Sequence, residues 1–294
     1  MKIQKYGAVD IGSNAVRLLI ATVIERKGMD TIFKKTSLVR VPIRLGEDVF
    51  IKGKISETNT VRLCDTMRAF KLLMDSHRVT KFRACATSAM REATNGKDVA
   101  QRVKEMTDID IQIIDGNDEA AIIASTDIRS LIMVDKTFLY VDVGGGSTEF
   151  TIFSNGKTVA SKSFKLGTVR IINNMVSDTI WQEVEEWIKK ETKTYTKISV
   201  IGSGGNINSI FKQSGKKQGK PLSYLYLMSY YEFVKSYSYE ERVVELDMNP
   251  DRADVIIPAT RIYLSAMKWS RSRKIFVPKI GLSDGIVKGL YFDS

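Results

Sequence analysis

The sequence predicts an α/β protein built from two similar domains. A short phrase occurs twice, at residues 9–14 (Val-Asp-Ile-Gly-Ser-Asn) and 141–148 (Val-Asp-Val-Gly-Gly-Gly-Ser-Thr), with the two aspartates 132 residues apart. Each copy lies between short apolar runs, which indicates strand, turn and strand. The first half of the chain then alternates helices and strands, and the second half begins the same order again. Such alternation is typical of layered α/β folds, and so long a repeat is one of whole domains.

The first half contains the clearest helical signal. Its longest helix begins at Ser56, a favourable N-cap residue, and carries Leu63, Met67 and Phe70 at helical spacing. Apolar runs between turn residues indicate the strands. We predict strands over residues 5–11, 16–25, about 30–43, 82–86 and 109–114, and helices over 56–77, 88–93, 98–106 and 117–133.

The second half begins with three strands and then becomes mainly helical. A helix after Asp178 places Trp181, Val184 and Ile188 on one face. Residues 212–226 are rich in Gly, Lys and Ser and are predicted as a mobile loop. The other predicted elements are strands over 137–142, 148–154, 157–165, 198–201 and 275–277, and helices over about 168–176, after 206, up to 271 and from 283 onward.

Composition limits the class of protein. With 43% hydrophobic and 27% charged residues the chain is of the globular class. No apolar run approaches the roughly 20 residues that span a bilayer, and Asp10 and Arg17 interrupt the candidate core of a signal peptide. The two cysteines, Cys64 and Cys85, have no metal-binding spacing and suit a reducing compartment. The sequence therefore predicts a cytoplasmic protein without a membrane partner.

The net charge of +11 favours an anionic partner. The excess of Lys and Arg is concentrated in residues 34–44, 212–220 and 268–274. Nucleic acid, polyphosphate and a highly phosphorylated nucleotide all suit such a surface, and a solvated basic face is the alternative for each cluster. The single histidine, His77, excludes His-rich metal centres and two-histidine phosphatase mechanisms. Hydrolysis would therefore depend on carboxylates and a metal.

Each copy of the repeated phrase combines small residues with an aspartate. Small residues leave backbone N–H groups uncovered, so that successive amides can form a concave anion site. Asp10 and Asp142 can each hold a divalent cation that in turn touches phosphate. A structural hairpin explains the first copy alone equally well, but three consecutive glycines at 144–146 are costly without a ligand close to the backbone. Two such loops across a cleft would bind a phosphate chain from both sides.

Three further motifs each leave an alternative open. Residues 202–206 (Gly-Ser-Gly-Gly-Asn) place N–H groups at a helix start, which suits an anion, a nucleotide base or a tight turn. Asp118 and Glu119 form either an ordinary acidic first turn or a carboxylate that orients a water. Arg91 and Arg44 can clamp phosphate with a bidentate guanidinium or lie on the surface.

These motifs occur in one order along the chain, at residues 10–14, 86–95, 116–120, 142–149 and 202–205. The set resembles the exopolyphosphatase and guanosine pentaphosphate phosphohydrolase (Ppx/GppA) family, within the superfamily of acetate and sugar kinases, Hsp70 and actin. The resemblance covers nearly the whole chain. It implies two ribonuclease-H-like (actin-like ATPase) domains flanking a central cleft, one formed by 1–122 plus about 281–294 and the other by 123–280. Many relatives carry an additional C-terminal helical domain, which we do not expect here.

The resemblance also implies roles for individual residues. Glu119 orients or deprotonates the attacking water, and Glu149 assists the metal or the water. Asp10 and Asp142 hold Mg²⁺ or another divalent cation. The implied phosphate contacts are Ser13, Asn14, Arg91, Gly144, Gly145, Gly146, Ser147 and Gly204.

The resulting functional hypothesis is a hydrolase of phosphoric anhydride bonds. It releases terminal orthophosphate from inorganic polyphosphate, guanosine pentaphosphate or both by metal-assisted attack of water. The preferred substrate and the assembly stay open, with a homodimer as one alternative, and no nucleic-acid partner is expected. A non-catalytic sensor of a guanosine alarmone or polyphosphate is the main rival, against which Glu119 and Glu149 argue. A kinase-like reverse reaction with ADP is another.

Overall fold

The protein is described by a computed structural model over residues 1–124, 126 and 136–292. These residues belong to two compact units, one within Met1–Thr126 and Leu282–Ser294 and the other within Asp127–Gly281. We call them unit 1 and unit 2. No helix in the described ranges is both long and apolar enough to cross a bilayer.

Unit 1 contains a five-stranded sheet with the order β3-β2-β1-β4-β5. The first three strands pair antiparallel, whereas β1, β4 and β5 are parallel. The central strand β1 is buried along its whole second half, from Tyr6 to Ile11, so the following turn is held on a rigid base. The strands are β1 Lys2–Ile11, β2 Val16–Glu25, β3 Ile32–Val41, β4 Lys81–Ala86 and β5 Ile111–Ile113.

The helices of unit 1 follow the prediction with one addition. Ser56 caps α2 by accepting a hydrogen bond from the Asn59 amide, as predicted. The helix α1 was not predicted, because it is short and has glycine at its second position. Of the predicted helix over 117–133, residues 125 and 127–133 lie outside the described residues. The helices are α1 Leu45–Lys52, α2 Glu57–Ser76, α3 Ser88–Glu92, α4 Gly96–Thr107 and α5 Gly116–Ala124.

Unit 2 contains a six-stranded sheet with the order β10-β11-β9-β6-β7-β8. Without the two-residue strand β10, it has the strand order and directions of the unit 1 sheet. The sequence repeat is therefore a repeat of whole units, and the predicted α/β class is confirmed. The strands are β6 Thr137–Val143, β7 Thr148–Ser154, β8 Lys157–Phe164, β9 Ile198–Ser203, β10 Leu222–Ser223 and β11 Lys274–Phe276.

The helices of unit 2 cover an aromatic and aliphatic core. Val184 and Ile188 of α7 are fully buried, and the partly buried Trp187 packs edge-on against Phe164. The segment predicted as a loop over 212–226 contains β10 and the start of α9. Leu222 of β10 is buried and pairs with Ile275 of β11. The helices are α6 Thr168–Ile172, α7 Asp178–Thr192, α8 Gly205–Gln213, α9 Tyr224–Lys235, α10 Tyr239–Val244, α11 Pro250–Ala253 and α12 Ile256–Trp269.

The last helix, α13 Leu282–Phe292, returns to unit 1. It packs on β1 and β4 and is tied to β3 by an ion pair of 2.8 Å between Asp284 and Lys35. Gly285 of this helix lies so close to the carbonyl of Ile122 that a Cβ would be 2.2 Å from its oxygen. α13 therefore packs directly on α5, which carries one of the predicted catalytic residues.

Candidate functional site

The glycine-rich turn of unit 2 joins β6 to β7 and packs on the start of α6. The Gly144 amide donates to the Ser147 carbonyl at 2.9 Å, which closes the turn. The carbonyl oxygens of Gly144 and Gly145 accept from the amides of Thr168 and Val169 at 3.0 and 2.9 Å. The side chain of Arg170, which is buried, donates through Nε to the Gly146 carbonyl at 2.8 Å. Three successive carbonyls thus face α6.

This orientation decides where the amides of the turn point. In a trans peptide the N–H group points opposite to the C=O group of the same plane. The amides of Gly145, Gly146 and Ser147 therefore point away from α6. Successive amides with this common direction form a concavity that binds anions. Of the residues predicted to contact phosphate in unit 2, Gly145, Gly146 and Ser147 present their amides in this common direction, whereas the amide of Gly144 is used in closing the turn.

Gly167 makes the approach of turn and helix possible, and sequence reasoning missed it. A Cβ at Gly167 would lie 2.2 Å from the Gly145 oxygen and 2.4 Å from the Gly146 carbonyl carbon. Any side chain here would push α6 off the turn. The sequence holds a signal for this residue, since Lys165-Leu166-Gly167 after β8 matches Arg44-Leu45-Gly46 after β3.

The matching turn of unit 1 is built in the same way. The Gly12 amide donates to the Ala15 carbonyl at 3.2 Å, and the Ser13 and Asn14 carbonyls accept from the amides of Gly46 and Arg44 at 2.8 and 3.0 Å. The amides of Asn14 and Ala15 consequently point away from the start of α1. The repeat therefore includes both the turn and the helix that holds it.

Ser13 and Arg44 have contacts of their own within unit 1. The buried Ser13 hydroxyl shares a hydrogen bond of 2.9 Å with the hydroxyl of Ser88, at the start of α3. Arg44, a candidate phosphate clamp, has a left-handed backbone with φ of 62° and pairs with Glu47 at 2.5 Å. The structure thus places Ser13 in the turn and assigns Arg44 a role in starting α1.

Two carboxylates lie side by side in unit 2. Asp142 and Glu149 are cross-strand partners in the antiparallel β6–β7 pair. Glu149 is buried, and its Oε1 accepts hydrogen bonds from the hydroxyls of Ser147 at 2.6 Å and Ser163 at 2.9 Å. These two donors stabilise a buried charge that would otherwise be costly. Ser163 is a further residue that the sequence analysis missed.

Two buried tyrosines, Tyr140 and Tyr263, lie near Asp142. The Tyr140 hydroxyl lies 3.4 Å from Asp142 Oδ2, and the Tyr263 hydroxyl donates to the Ser203 carbonyl. Burial first, and then the charge of Asp142, raise the pKa of both tyrosines well above the ordinary value. Both are therefore neutral hydrogen-bond donors. Neither tyrosine was predicted as a site residue, because nothing in the local sequence marks a tyrosine as the neighbour of a carboxylate.

Gly204 closes this part of the unit 2 site. Its φ of +109° is a backbone conformation that glycine adopts readily and other residues rarely adopt. A Cβ at this position would lie 3.0 Å from the Val143 carbonyl oxygen and 3.5 Å from Asp142 Oδ1. The predicted phosphate contact at Gly204 is thus adjacent to Asp142. The carboxyl ends of β6 and β9 meet here, which is where ligands bind in open α/β sheets.

Asp10 occupies in unit 1 the position of Asp142 but has a different neighbour. Its cross-strand partner is Arg17, seven residues on, where unit 2 has Glu149. Arg17 donates to Asp10 Oδ2 at 3.1 Å. Burial raises the pKa of the Asp10 carboxyl, and the charge and hydrogen bond of Arg17 offset this only in part. The repeat therefore provides an acidic pair in unit 2 and an ion pair in unit 1.

Asp10→Asn is expected to stabilise the protein at neutral pH by about 1 kcal/mol. Because the pKa of Asp10 is raised, the folded state holds its proton more tightly than the unfolded state, and stability falls as pH rises above the ordinary carboxyl range. The amide removes this loss. Urea unfolding of both proteins at acidic and neutral pH measures the difference. A variant less stable than wild type at neutral pH would contradict the view that burial of the charged Asp10 carboxylate lowers the stability of the folded state.

Glu119 lies in the first turn of α5. The Asp115 side chain caps this helix by accepting hydrogen bonds from the amides of Asn117 and Asp118, each at 2.8 Å. Glu119 is buried, with 9% of its surface exposed, whereas Asp118 is exposed. The two adjacent carboxylates therefore have different environments, and the buried one is the predicted catalytic residue.

Cys85, near the end of β4, shows that Asp10 and Glu119 belong to one region of unit 1. The pKa of its thiol is raised to about 11: burial is the main cause, the charge of Arg83 lowers the pKa, and the negative charges of Asp10, Glu119 and Asp118 contribute to the rise. Such charge effects require proximity. The structure thus brings the repeated turn and the start of α5 together around β4.

Arg91 is anchored at one side of its guanidinium. Its Nη1 donates to the Ile114 carbonyl at 2.6 Å, and the side chain is half-buried. This bond holds α3 to the end of β5 and orients the remaining N–H groups. Among the described residues, no three His, Cys, Asp or Glu side chains form a group that could hold a metal by themselves.

Two curated proteins illustrate what this chain is similar to in sequence. A bifunctional 3-dehydroquinate synthase/phosphatase of Fusobacterium nucleatum is 31% identical over 285 residues, which covers 87% of this chain and 42% of that protein. Exopolyphosphatase 1 of Mycobacterium tuberculosis is 30% identical over 174 residues, covering 59% of this chain and 49% of the relative. This chain thus spans less than half the length of each of these curated relatives.

Solved structures show the same fold. An exopolyphosphatase from Cytophaga hutchinsonii superposes with a TM-score of 0.87 at 25% identity and covers 99% of this chain and 98% of its own. The sequence profile of the Ppx/GppA phosphatase family matches residues 19–291. That match extends over both units, including the glycine-rich turn, Glu119 and Glu149. The chain belongs to the Ppx/GppA phosphatase family.

Proposed function

We propose that this protein is a phosphohydrolase that releases terminal orthophosphate from inorganic polyphosphate, guanosine pentaphosphate or both. The observation that carries the proposal is the repeated turn whose amides point away from its supporting helix. Each unit provides one such turn, with Asn14 and Ala15 in unit 1 and residues 145–147 in unit 2. Each turn presents successive amides to the oxygens of a phosphate group.

Backbone amides suit this task because they are fixed before the substrate binds. They are aimed by hydrogen bonds to α1 and α6 and need no rearrangement as charge develops on the transferred phosphoryl group. In phosphoryl transfer the protein contributes mainly positioning and electrostatic stabilisation. The two turns provide both, with no covalent step on the protein.

Glu119 is the residue that we assign to the attacking water. A general base must be ionised, held in place and close to the water. Its position in the capped first turn of α5 holds it in place, and the helix N-terminus favours its negative charge. Glu119 accepts the proton of the water as the water oxygen bonds to the terminal phosphorus. The bond from this phosphorus to the bridging oxygen breaks, the shortened substrate keeps that oxygen as its new end, and the proton passes to solvent.

The donor set of unit 2 fits a magnesium ion. Asp142 and Glu149 are adjacent carboxylates, and Mg²⁺ binds to one or two carboxylates while keeping waters and phosphate oxygens as further ligands. A bound Mg²⁺ supplies positive charge at the phosphate oxygens. Ser147 and Ser163 orient Glu149 for this role, and Tyr140 lies beside Asp142. Asp10, paired with Arg17, is less available as a ligand.

The proposal is tested by measuring orthophosphate release from polyphosphate and from guanosine pentaphosphate, with Mg²⁺ and with a chelator. Release from at least one substrate, lost with the chelator and restored by Mg²⁺, is expected. Tight binding of either polyanion without any release would instead identify a non-catalytic sensor.

Arg91→Ala is expected to raise KM about tenfold or more, and Arg91→Lys to raise it less. The remaining N–H groups of the anchored guanidinium suit a bidentate contact with phosphate, and a charged bond of this kind contributes about 1.5–3 kcal/mol. Lysine keeps the positive charge but cannot donate two parallel N–H groups to one phosphate. Steady-state kinetics on the better substrate provides the comparison. Equal, near-wild-type KM values for both variants would limit Arg91 to its bond with Ile114.

A further inference from the structure

A basic pocket lies at the edge of the unit 2 sheet, where β10 pairs with β11. Its volume is about 420 Å³, within the usual range of small-ligand sites. Four of its lining residues are Lys216, Lys217, Lys220 and Lys274, and residues 221–223 form the rest of the wall. The pocket is therefore lined by four positive charges and no carboxylate.

These charges are not neutralised by neighbouring side chains. All four lysines are exposed, and none forms an ion pair within the described part of the chain. The Lys216 ammonium donates to the Pro221 carbonyl at 3.0 Å, which holds it at the pocket wall. Like charges that line one pocket repel each other, and a bound polyanion relieves the repulsion.

The loop that carries three of the lysines is shaped before any ligand binds. Gly215 and Gly219 have positive φ values of 64° and 85°, and the Lys220 amide donates to the Lys217 carbonyl at 3.1 Å. The Gln218 side chain donates to the Val277 carbonyl at 3.2 Å, which ties the loop to the segment after β11. The segment predicted as a mobile loop thus contains hydrogen bonds of its own and one to the sheet side of the pocket.

The start of α9 adds to the positive potential. Ser223 lines the pocket and caps this twelve-residue helix by accepting a hydrogen bond from the Tyr226 amide. A helix N-terminus carries partial positive charge and favours anions. Lysines and helix end therefore act on the same volume.

The pocket is separate from the glycine-rich turn. Ile275 pairs with Val200, so Lys274 lies four residues below Ser203 along the sheet, and β11 is two strands from β6. With a rise of about 3.3 Å per residue and about 4.8 Å between strands, the backbones of Lys274 and Asp142 are about 16 Å apart. An inorganic triphosphate is shorter than this distance, whereas a long phosphate chain can span it.

We propose that this pocket is a second binding site for long-chain polyphosphate, which holds the chain away from the residues that act on its end. The assignment of this polyanion rests on the proposed function. Such a site raises the effective concentration of the chain end at the glycine-rich turn of unit 2 without taking part in hydrolysis.

The test compares wild type with two variants of equal charge. The site variant carries Lys216→Gln, Lys217→Gln, Lys220→Gln and Lys274→Gln. The control carries Lys157→Gln, Lys189→Gln, Lys190→Gln and Lys193→Gln, which replace exposed lysines elsewhere in unit 2. Binding of long-chain polyphosphate is measured by titration with a chelator present, over a range of salt concentrations. Turnover of inorganic triphosphate is measured separately with Mg²⁺.

The site variant is expected to bind long-chain polyphosphate at least about tenfold more weakly than the control, with a slope of log affinity against log salt smaller by about 3. Triphosphate turnover, where wild type shows it, stays equal in all three proteins. Equal polyphosphate affinity of site variant and control would overturn the proposal. The proposal would also be overturned if the site variant lost affinity for an RNA oligomer and kept its affinity for long-chain polyphosphate. A wild-type protein that binds through these lysines but releases no phosphate leaves the site standing and removes the proposed function.

Discussion

Glu119→Gln is expected to lower the rate of phosphate release by about 10²–10⁴-fold and to leave polyphosphate binding unchanged. The amide has the size of the carboxylate and fits the same buried place in the first turn of α5, but it cannot accept the proton of the attacking water. Initial rates of orthophosphate release and a separate binding titration measure the two effects.

The neighbouring carboxylate provides the matched control for this prediction. Asp118→Asn removes one negative charge one residue away, in the same helical turn, from a side chain that is exposed. It is expected to change the rate by less than about threefold, because an exposed charge is well screened. Near-normal turnover of Glu119→Gln, or equal losses in both variants, would show that Glu119 is not the base.

Gly167→Ala is expected to lower the free energy of unfolding by about 3 kcal/mol and to weaken the binding of orthophosphate. The added methyl group would meet the Gly145 carbonyl at 2.2 Å, so either α6 or the turn must move. Because hydrogen bonds to α6 aim the amides of Gly145, Gly146 and Ser147, such a shift disturbs the anion site directly. Urea unfolding and inhibition by orthophosphate are the two measurements.

Gly28→Ala separates the effect of close approach from that of losing a glycine. Gly28 has φ of +76° and nothing within 4 Å of an added Cβ. Alanine there costs about 1–2 kcal/mol through its backbone conformation and makes no clash. We expect it to leave phosphate binding unchanged. Wild-type phosphate binding by Gly167→Ala would mean that the approach of turn and helix does not shape the site.

Much of the fold could be predicted because its signals are local. Apolar runs predicted every strand of both sheets except β10, Ser56 marked the start of α2, and the repeated phrase predicted that unit 2 repeats unit 1. The helix α1 escaped prediction because the glycine at its second position weakens the helical signal, and its start depends on hydrogen bonds to the Ser13 and Asn14 carbonyls. These contacts join residues about thirty positions apart.

The candidate site divides in the same way. The glycines and aspartates of the two turns are readable in the sequence, because a backbone that binds anions needs small residues next to each other. Gly167 is marked in the sequence only by the match of residues 165–167 to residues 44–46, and Ser163 and Tyr263 are marked by nothing local. Each contributes to the site through a partner in another segment: the Gly145 carbonyl, Glu149 and the Ser203 carbonyl, respectively.

The sequence alone determined the duplication, the two turns and their aspartates, since these depend on residue type and spacing along one segment. Tertiary structure decided what surrounds each aspartate. Asp10 and Asp142 look alike in the sequence, yet strand pairing places Arg17 beside the first and Glu149 beside the second. The register of one strand on the next and the burial of a side chain together set the charge of a site, and both are established only when the strands pair.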